Sequence, residues 1–151
     1  MNKNDRKEAI IKRCGCPCPA CKGKNPEMNS GLIDELIKLE DKLQRQANIN
    51  SGQRCPAYNA SVGGYPNSWH IYELAVDITV IGIGLIALAK ICEKMAFLRI
   101  GIYPNHIHLD MVRPCPSRFW LVKKYGDKPI YSGNETDLKQ FLISVRKEIN
   151  I

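Results

Sequence analysis

The order of elements along the chain predicts an α+β domain, with a small, largely antiparallel sheet and flanking helices. Three observations carry that expectation. Apolar residues recur at helical spacing in several segments, residues 106–112 alternate as a strand does, and turn formers separate the remaining short apolar runs. The 151 residues suffice for one domain with a small appendage. With 44% hydrophobic and 25% charged residues, wholesale disorder, collagen and coiled coil are excluded.

Residues 1–28 read as a basic lead rich in Cys, Pro and Gly, set before a domain over 29–151. A helix should open that domain. Ser30 can cap it, Asp34 and Glu35 suit its first turn, and Leu32, Leu36, Leu39 and Leu43 form a buried stripe. Residues 51–69 are rich in turn formers and read as one long loop, and ordered loops of that length are usually functional. Residues 74–80 read as a strand with Leu74, Val76 and Ile78 on one face and Ala75, Asp77 and Thr79 on the other. A mostly buried helix follows over 84–97. Strands over 99–103 and 106–112 flank a tight turn at Pro104 and Asn105. Further strands are expected at 119–123 and 130–131, and a last amphipathic helix over about 135–148 buries Leu138, Phe141, Leu142 and Val145.

The net charge of +7, with a pI of about 9.1, favours anionic partners such as nucleic acid, wall polymers or lipid headgroups without choosing among them. The first 20 residues have no apolar core of a secretory signal, so synthesis as a cytoplasmic chain is expected. The most apolar stretch, residues 78–89, is too short to span a bilayer. Seven cysteines cannot all pair internally, and without a signal the thiols are expected to start reduced.

The histidines are the informative residues. His70 precedes Asp77 by seven positions, and His106, His108 and Asp110 share one face of a strand whose other face, Ile107, Leu109 and Met111, is apolar. A catalytic zinc site needs three such ligands around a tetrahedron with one corner left open, and His70, Asp77 and His108 would supply two nitrogens and one oxygen. The alternative is a set of satisfied polar residues at a sheet edge.

Five segments occur in order: Ser51-Gly-Gln-Arg-Cys-Pro56 with Asn59, Val62-Gly-Gly64, Ser68-Trp-His70, Ala75-Val-Asp77-Ile, and Tyr103-Pro-Asn-His-Ile-His108-Leu-Asp110. Over about residues 29–121 the chain thereby resembles the zinc D-Ala-D-Ala carboxypeptidase family, peptidase family M15, and its small peptidoglycan-peptidase branch that includes phage endolysins. The resemblance implies the hedgehog/DD-peptidase-like fold. It implies a catalytic zinc held by His70, Asp77 and His108, with His106 as an active-site residue beside the metal. Arg54 is implied over the scissile carbonyl or substrate carboxylate, and Ser68 as a substrate contact. Two positions depart from the family. Relatives usually carry Gly where this chain has Glu73, and a catalytic acid where it has Asn105. The general base is therefore expected at His106 or Asp110, with Glu73 as a further candidate.

Cys14, Cys16, Cys18 and Cys21 suggest a second, structural zinc or a disulfide clip tying the lead to the domain. Cys55 reads as packing beneath its loop, Cys115 as a partner for Cys55 or the lead, and Cys92 as core. Trp120 is expected in the core, and Trp69 either there or lining a cleft. A nucleic-acid-binding knuckle is disfavoured, because no aromatic interleaves the basic residues of the lead.

The expected function is zinc-dependent hydrolysis of peptide bonds in bacterial peptidoglycan stems, of carboxypeptidase or endopeptidase type, by a phage or prophage endolysin released to the wall. Stem peptides and anionic wall polymers are its expected partners. The runner-up is a non-catalytic, hedgehog-like zinc domain that binds wall peptide or a protein partner.

Overall fold

A computed structural model describes residues 1–114 and 117–149. The elements run α1 (Lys3–Arg13), α2 (Ser30–Leu43), β1 (Asn48–Ser51), α3 (Pro56–Ser61), β2 (Ala75–Thr79), α4 (Leu85–Glu93), β3 (Arg99–Ile102), β4 (Ile107–Asp110), β5 (Phe119–Leu121), β6 (Ile130–Tyr131) and α5 (Leu138–Ile149). The six strands form one sheet in the order β1-β2-β4-β3-β5-β6. Every pairing is antiparallel except β3 with β5. The α+β class is therefore as the sequence indicates. Among the described residues no helix is long and apolar enough to cross a membrane.

Strand alternation divides the sheet into two faces. Val76, Ile78, Ile100, Ile102, Ile107, Leu109, Phe119 and Leu121 join the core with Leu32, Ile33, Leu36 and Leu39 of α2, Leu88 of α4, and Leu138 and Phe141 of α5. Each such side chain stabilises by about 1.5–3 kcal/mol on burial. The opposite face carries a row that crosses all six strands in register: Ser51, Asp77, His108, Gly101, Trp120 and Tyr131. Gly101 is required in that row. A Cβ there would come within 2.3 Å of the Trp120 indole, which lies across the glycine toward His108.

The helix over 30–43 is present, but its cap is Asn29, whose side chain accepts from Leu32 N at 3.0 Å, and not Ser30. Glu35 is buried and accepts from Ala96 N just beyond α4, so it ties two helices together. The expected loop at 51–69 contains α3, and β1 precedes it.

Residues 1–28 contain a helix that apolar periodicity does not announce. In α1 only Ile10 is buried, while Asn2 and Asp5 form a capping box. Its other contacts are ionic. Lys3 and Lys7 reach Asp34, Arg6 reaches Asp41 and Arg13 reaches Glu40, all on α2. Part of the basic charge of the lead is thus met inside the molecule.

Beyond α1 the backbone of Cys14 meets the segment after β1. Gln53 N donates to Cys14 O at 2.7 Å, and a Cβ on Gly52 would fall 2.4 Å from that same oxygen. Close approach explains the glycine. The opposite case is Glu73, whose φ of +63° is a left-handed conformation that favours glycine.

Two substitutions should therefore shift urea midpoints in opposite directions. Gly52→Ala is expected to lose about 1–3 kcal/mol by forcing the backbones apart. Glu73→Gly is expected to gain about 0.5–1 kcal/mol, the released strain exceeding the added freedom of the unfolded chain.

Candidate metal centre and cleft

Asp77 and His108 are directly opposed on β2 and β4, so sheet register alone brings them together. His70 arrives from the turn before β2, where its backbone N–H donates to Ser68 Oγ at 3.3 Å. All three are buried, and one ligand atom from each lies within 4.8 Å of the others.

The hydrogen bonds around the two rings fix which nitrogen carries the proton. His70 Nδ1 lies 2.7 Å from Gly52 O, and a carbonyl can only accept, so Nδ1–H donates. His108 Nε2 lies 2.8 Å from Asp110 Oδ2, a carboxylate already gripped by Arg99. In the neutral rings the remaining nitrogens, His70 Nε2 and His108 Nδ1, turn lone pairs toward Asp77 Oδ1 at 3.2 and 3.0 Å. Three acceptors facing one point call for a cation between them. Ligand atoms around tetrahedral zinc, 2.0–2.1 Å from it, stand about 3.3 Å apart. The spacing and the donor set fit zinc, and Gly52 O and Asp110 play the outer-partner role that holds metal-binding imidazoles.

A proton on His108 Nδ1 can stand in for that cation. Burial acts to raise Asp77, but hydrogen bonds from His108 and His70 hold it far below the usual carboxylate range. Burial lowers His70. For His108 burial acts downward too, yet its bonds to Asp110 and Asp77 outweigh it and push the ring up to about 9.

Arg54 supplies the other half of Asp77's environment. Its Nη2 donates to Asp77 Oδ2 at 3.0 Å, its Nε to Ser51 Oγ at 2.8 Å, and its Nη1 to Asn59 Oδ1 at 3.2 Å. Asn59 is buried, and its Nδ2 donates to Tyr65 O at 2.7 Å. The sequence flagged Asn59 as part of a pattern without a role; its role is to hold the arginine.

The metal centre lies on a cleft of about 390 Å3, of a size that suits small ligands. Arg54, Ser68, His70, Asp77, His106 and His108 all line it. Its walls are aromatic: Tyr65, Trp69, Tyr103, Trp120, Tyr125 and Tyr131. Trp69 is 38% exposed there. Trp120 is buried as expected but belongs to the site face, with its Nε1–H donating to Tyr103 Oη at 3.0 Å.

His106 stands beside the three ligands and outside their converging set. Its ring stacks on Tyr103 at 4.5 Å. Its Nδ1–H donates to Asn105 Oδ1 at 2.9 Å, which turns Nε2 toward the metal centre, 3.6 Å from Asp77 Oδ2. Tyr125 Oη donates to the same Asn105 oxygen. Burial, with neighbouring His108, His70 and Arg54, lowers His106 against the pull of Asp77.

Asp110 does not share this position. It is fully buried behind His108, bound bidentate by Arg99 and by the backbone N–H of Val112, and it is absent from the cleft lining. Glu73 is likewise absent from that lining. Of the three candidate bases, only His106 reaches the cleft.

The cysteines also regroup. Cys14 does not join Cys16, Cys18 and Cys21; its side chain is wholly buried in the core, where burial pushes the thiol up to about 12. Cys55 takes its place in the cluster. Cys92 is in the core as expected, and Cys115 lies outside the described residues.

A family model described as Peptidase M15 matches residues 6–110, from within α1 to the end of β4. A zinc D-Ala-D-Ala carboxypeptidase of Streptomyces albus G is 34% identical over 80 residues, covering 52% of this chain and 31% of that protein. The matched stretch therefore spans about a third of the relative's length.

Asp110→Asn should weaken zinc binding about 10–100-fold through loss of the outer carboxylate, read by competition with a chelator while far-ultraviolet circular dichroism stays unchanged.

Proposed function

The chain belongs to the peptidase M15 family, and from that premise we propose that it is a zinc-dependent peptidase of bacterial peptidoglycan stems. The bond cut is of the D-Ala-D-Ala carboxypeptidase or stem endopeptidase type, and the setting is a phage or prophage endolysin acting at the wall. The observation that carries this reading is the convergence of two imidazole lone pairs and one aspartate oxygen at the floor of an open cleft.

His70, Asp77 and His108 would hold the metal. Bound there, zinc supplies a Lewis acid that polarises a carbonyl and activates water near neutral pH. The protein's own groups do the rest. His106 keeps Nε2 unprotonated and directed at the centre, so it can take a proton from the attacking water and return it to the leaving amine. Arg54, fixed by Ser51 and Asn59, presents its positive charge at the cleft, where it can stabilise a developing oxyanion or a substrate carboxylate. Ser68 lines the same cleft as a substrate contact. The aromatic walls exclude water and offer flat surfaces to a peptide chain. Asp110 acts through His108 by orienting its ring.

Incubation of the full chain with purified sacculi should release new amino groups and muropeptides whose masses identify the bond. Chelation should abolish the release and zinc restore it. Binding to sacculi with no released amino groups would replace the enzyme with a zinc domain that only recognises wall peptide. His106→Ala should lower kcat about 10²–10⁴-fold with zinc per chain unchanged; a variant that loses the metal instead would make His106 a ligand and remove it as the base.

A further inference from the structure

Four thiols meet beside the site loop, and no step of the proposed reaction uses them. Cys16, Cys18 and Cys21 come from the loop after α1, whereas Cys55 follows Arg54 directly. Their sulfur atoms all lie within 4.8 Å of one another. Cys18 Sγ and Cys55 Sγ are 3.7 Å apart. A disulfide would bring them to about 2.05 Å. Four sulfurs set 2.3 Å from a central zinc stand about 3.8 Å from each other, close to the 3.7 Å of that pair and inside the 4.8 Å that bounds the set.

The surrounding backbone treats these sulfurs as acceptors. The N–H of Cys55 donates to Cys16 Sγ at 3.5 Å and that of Tyr58 to Cys55 Sγ at 3.4 Å. The segment from Cys18 to Cys21 is a tight turn, with Cys21 N and Lys22 N both donating to Cys18 O at 3.0 Å, so its two thiols leave on the same side. Lys22 and Lys24 follow the turn directly in sequence. Simple packing does not account for the grouping. Cys14 and Cys92, which do pack, are wholly buried and stand apart from the cluster, while Cys18, Cys21 and Cys55 are only half-buried.

We propose that Cys16, Cys18, Cys21 and Cys55 bind a second zinc ion as a structural tetrathiolate site that fastens the N-terminal lead to the loop bearing Arg54. Four thiols and Zn2+ give a zinc tetrathiolate and four released protons, with no change of oxidation state. Soft thiolate donors in a tetrahedral set select zinc over the hard cations. The two segments joined are more than 30 residues apart in sequence, so the ion closes a long loop with no disulfide. Arg54 N also donates to His70 O at 3.1 Å. The clamp is thus one residue from Arg54.

The two metal sites can be told apart by counting. The full chain, prepared with reductant and zinc, should carry two zinc ions by native mass spectrometry. The pair His70→Ala and Asp77→Ala should leave one, and so should Cys18→Ser with Cys21→Ser. Cobalt replacing zinc should give the intense near-ultraviolet thiolate-to-cobalt bands in the His70→Ala, Asp77→Ala chain and lose them in the cysteine variant. Should the serine variant fail to fold, alkylation of the unaltered chain decides: zinc should protect four thiols from iodoacetamide, and chelation should expose them. Two zinc ions retained without Cys18 and Cys21, absence of the thiolate bands, or four thiols that alkylate equally fast with and without zinc would each overturn the proposal. Loss of peptidase activity alone bears on the first site and leaves this count intact.

Discussion

A buried carboxylate is stable only where its charge is met, and for Asp77 the Arg54 guanidinium meets one oxygen while the other needs a cation or proton between it and the imidazoles. His70 and His108 face one oxygen, and Arg54 and His106 face the other. The sheet supplies the framework for this. Direct pairing of β2 with β4 fixes Asp77 against His108, the bulged end of β1 sets Ser51 beside Asp77, and the chain leaving β1 delivers Gly52 and Arg54. Division of labour follows from the two oxygens. Arg54 neutralises Oδ2, leaving Oδ1 for the point on which both imidazoles converge.

That arrangement has to be supported from behind, where the N-terminal lead enters. Gly52 O accepts a hydrogen bond from His70 Nδ1–H, and Gly52 itself lies against the backbone of Cys14. The ionic contacts of α1 with α2 hold Cys14 in place from the other side. The lead therefore presses on the segment that orients the His70 imidazole. The four thiols lie in the same region, between the lead and the residue after Arg54. A loop that carries both an arginine and an imidazole's hydrogen-bond acceptor gains from being pinned at two points, since small displacements there would move both.

Most of the sheet was legible because it repeats a simple pattern. Apolar alternation marks β2 and β4, and the same alternation places His108 and Asp110 on the polar face. The stripe of α2 and the apolar set of α5 were equally plain. What the sequence hid was stabilised by something other than apolar periodicity. Helix α1 rests on a capping box and ion pairs, with one buried residue. Strand β1 is four residues of alternating exposure at an edge, and α3 is a single short turn-like helix inside a polar segment. The cysteines misled for a related reason. Cys14 is adjacent to the others in sequence, but the end of α1 turns it into the core, and a residue about forty positions later comes in instead. Only chain folding, not spacing, could exchange one for the other. Alternation put Asp110 beside His108 correctly, yet could not say which nitrogen it would meet; it meets the one opposite Asp77 and so lies behind the ring.

The position where the family usually has an acid shows how a neutral residue can serve a base. In the reading given above, the proton acceptor is a histidine, and a histidine accepts only if its free nitrogen points at the reacting atoms and stays unprotonated. Asn105 satisfies both needs. Its amide oxygen accepts a hydrogen bond from Nδ1–H of His106 and thereby aims Nε2 at the centre, while Tyr125 holds the amide in place. An aspartate at 105 would orient the ring equally well, but its charge would favour the imidazolium and block the nitrogen that has to accept. The uncharged amide leaves the ring under the influence of burial and of the nearby positive groups, which act to keep it neutral. On that proposed reading, the substitution that looks like a lost base in the sequence is a change of carrier: the accepting atom moves from a carboxylate to His106, and position 105 becomes its guide.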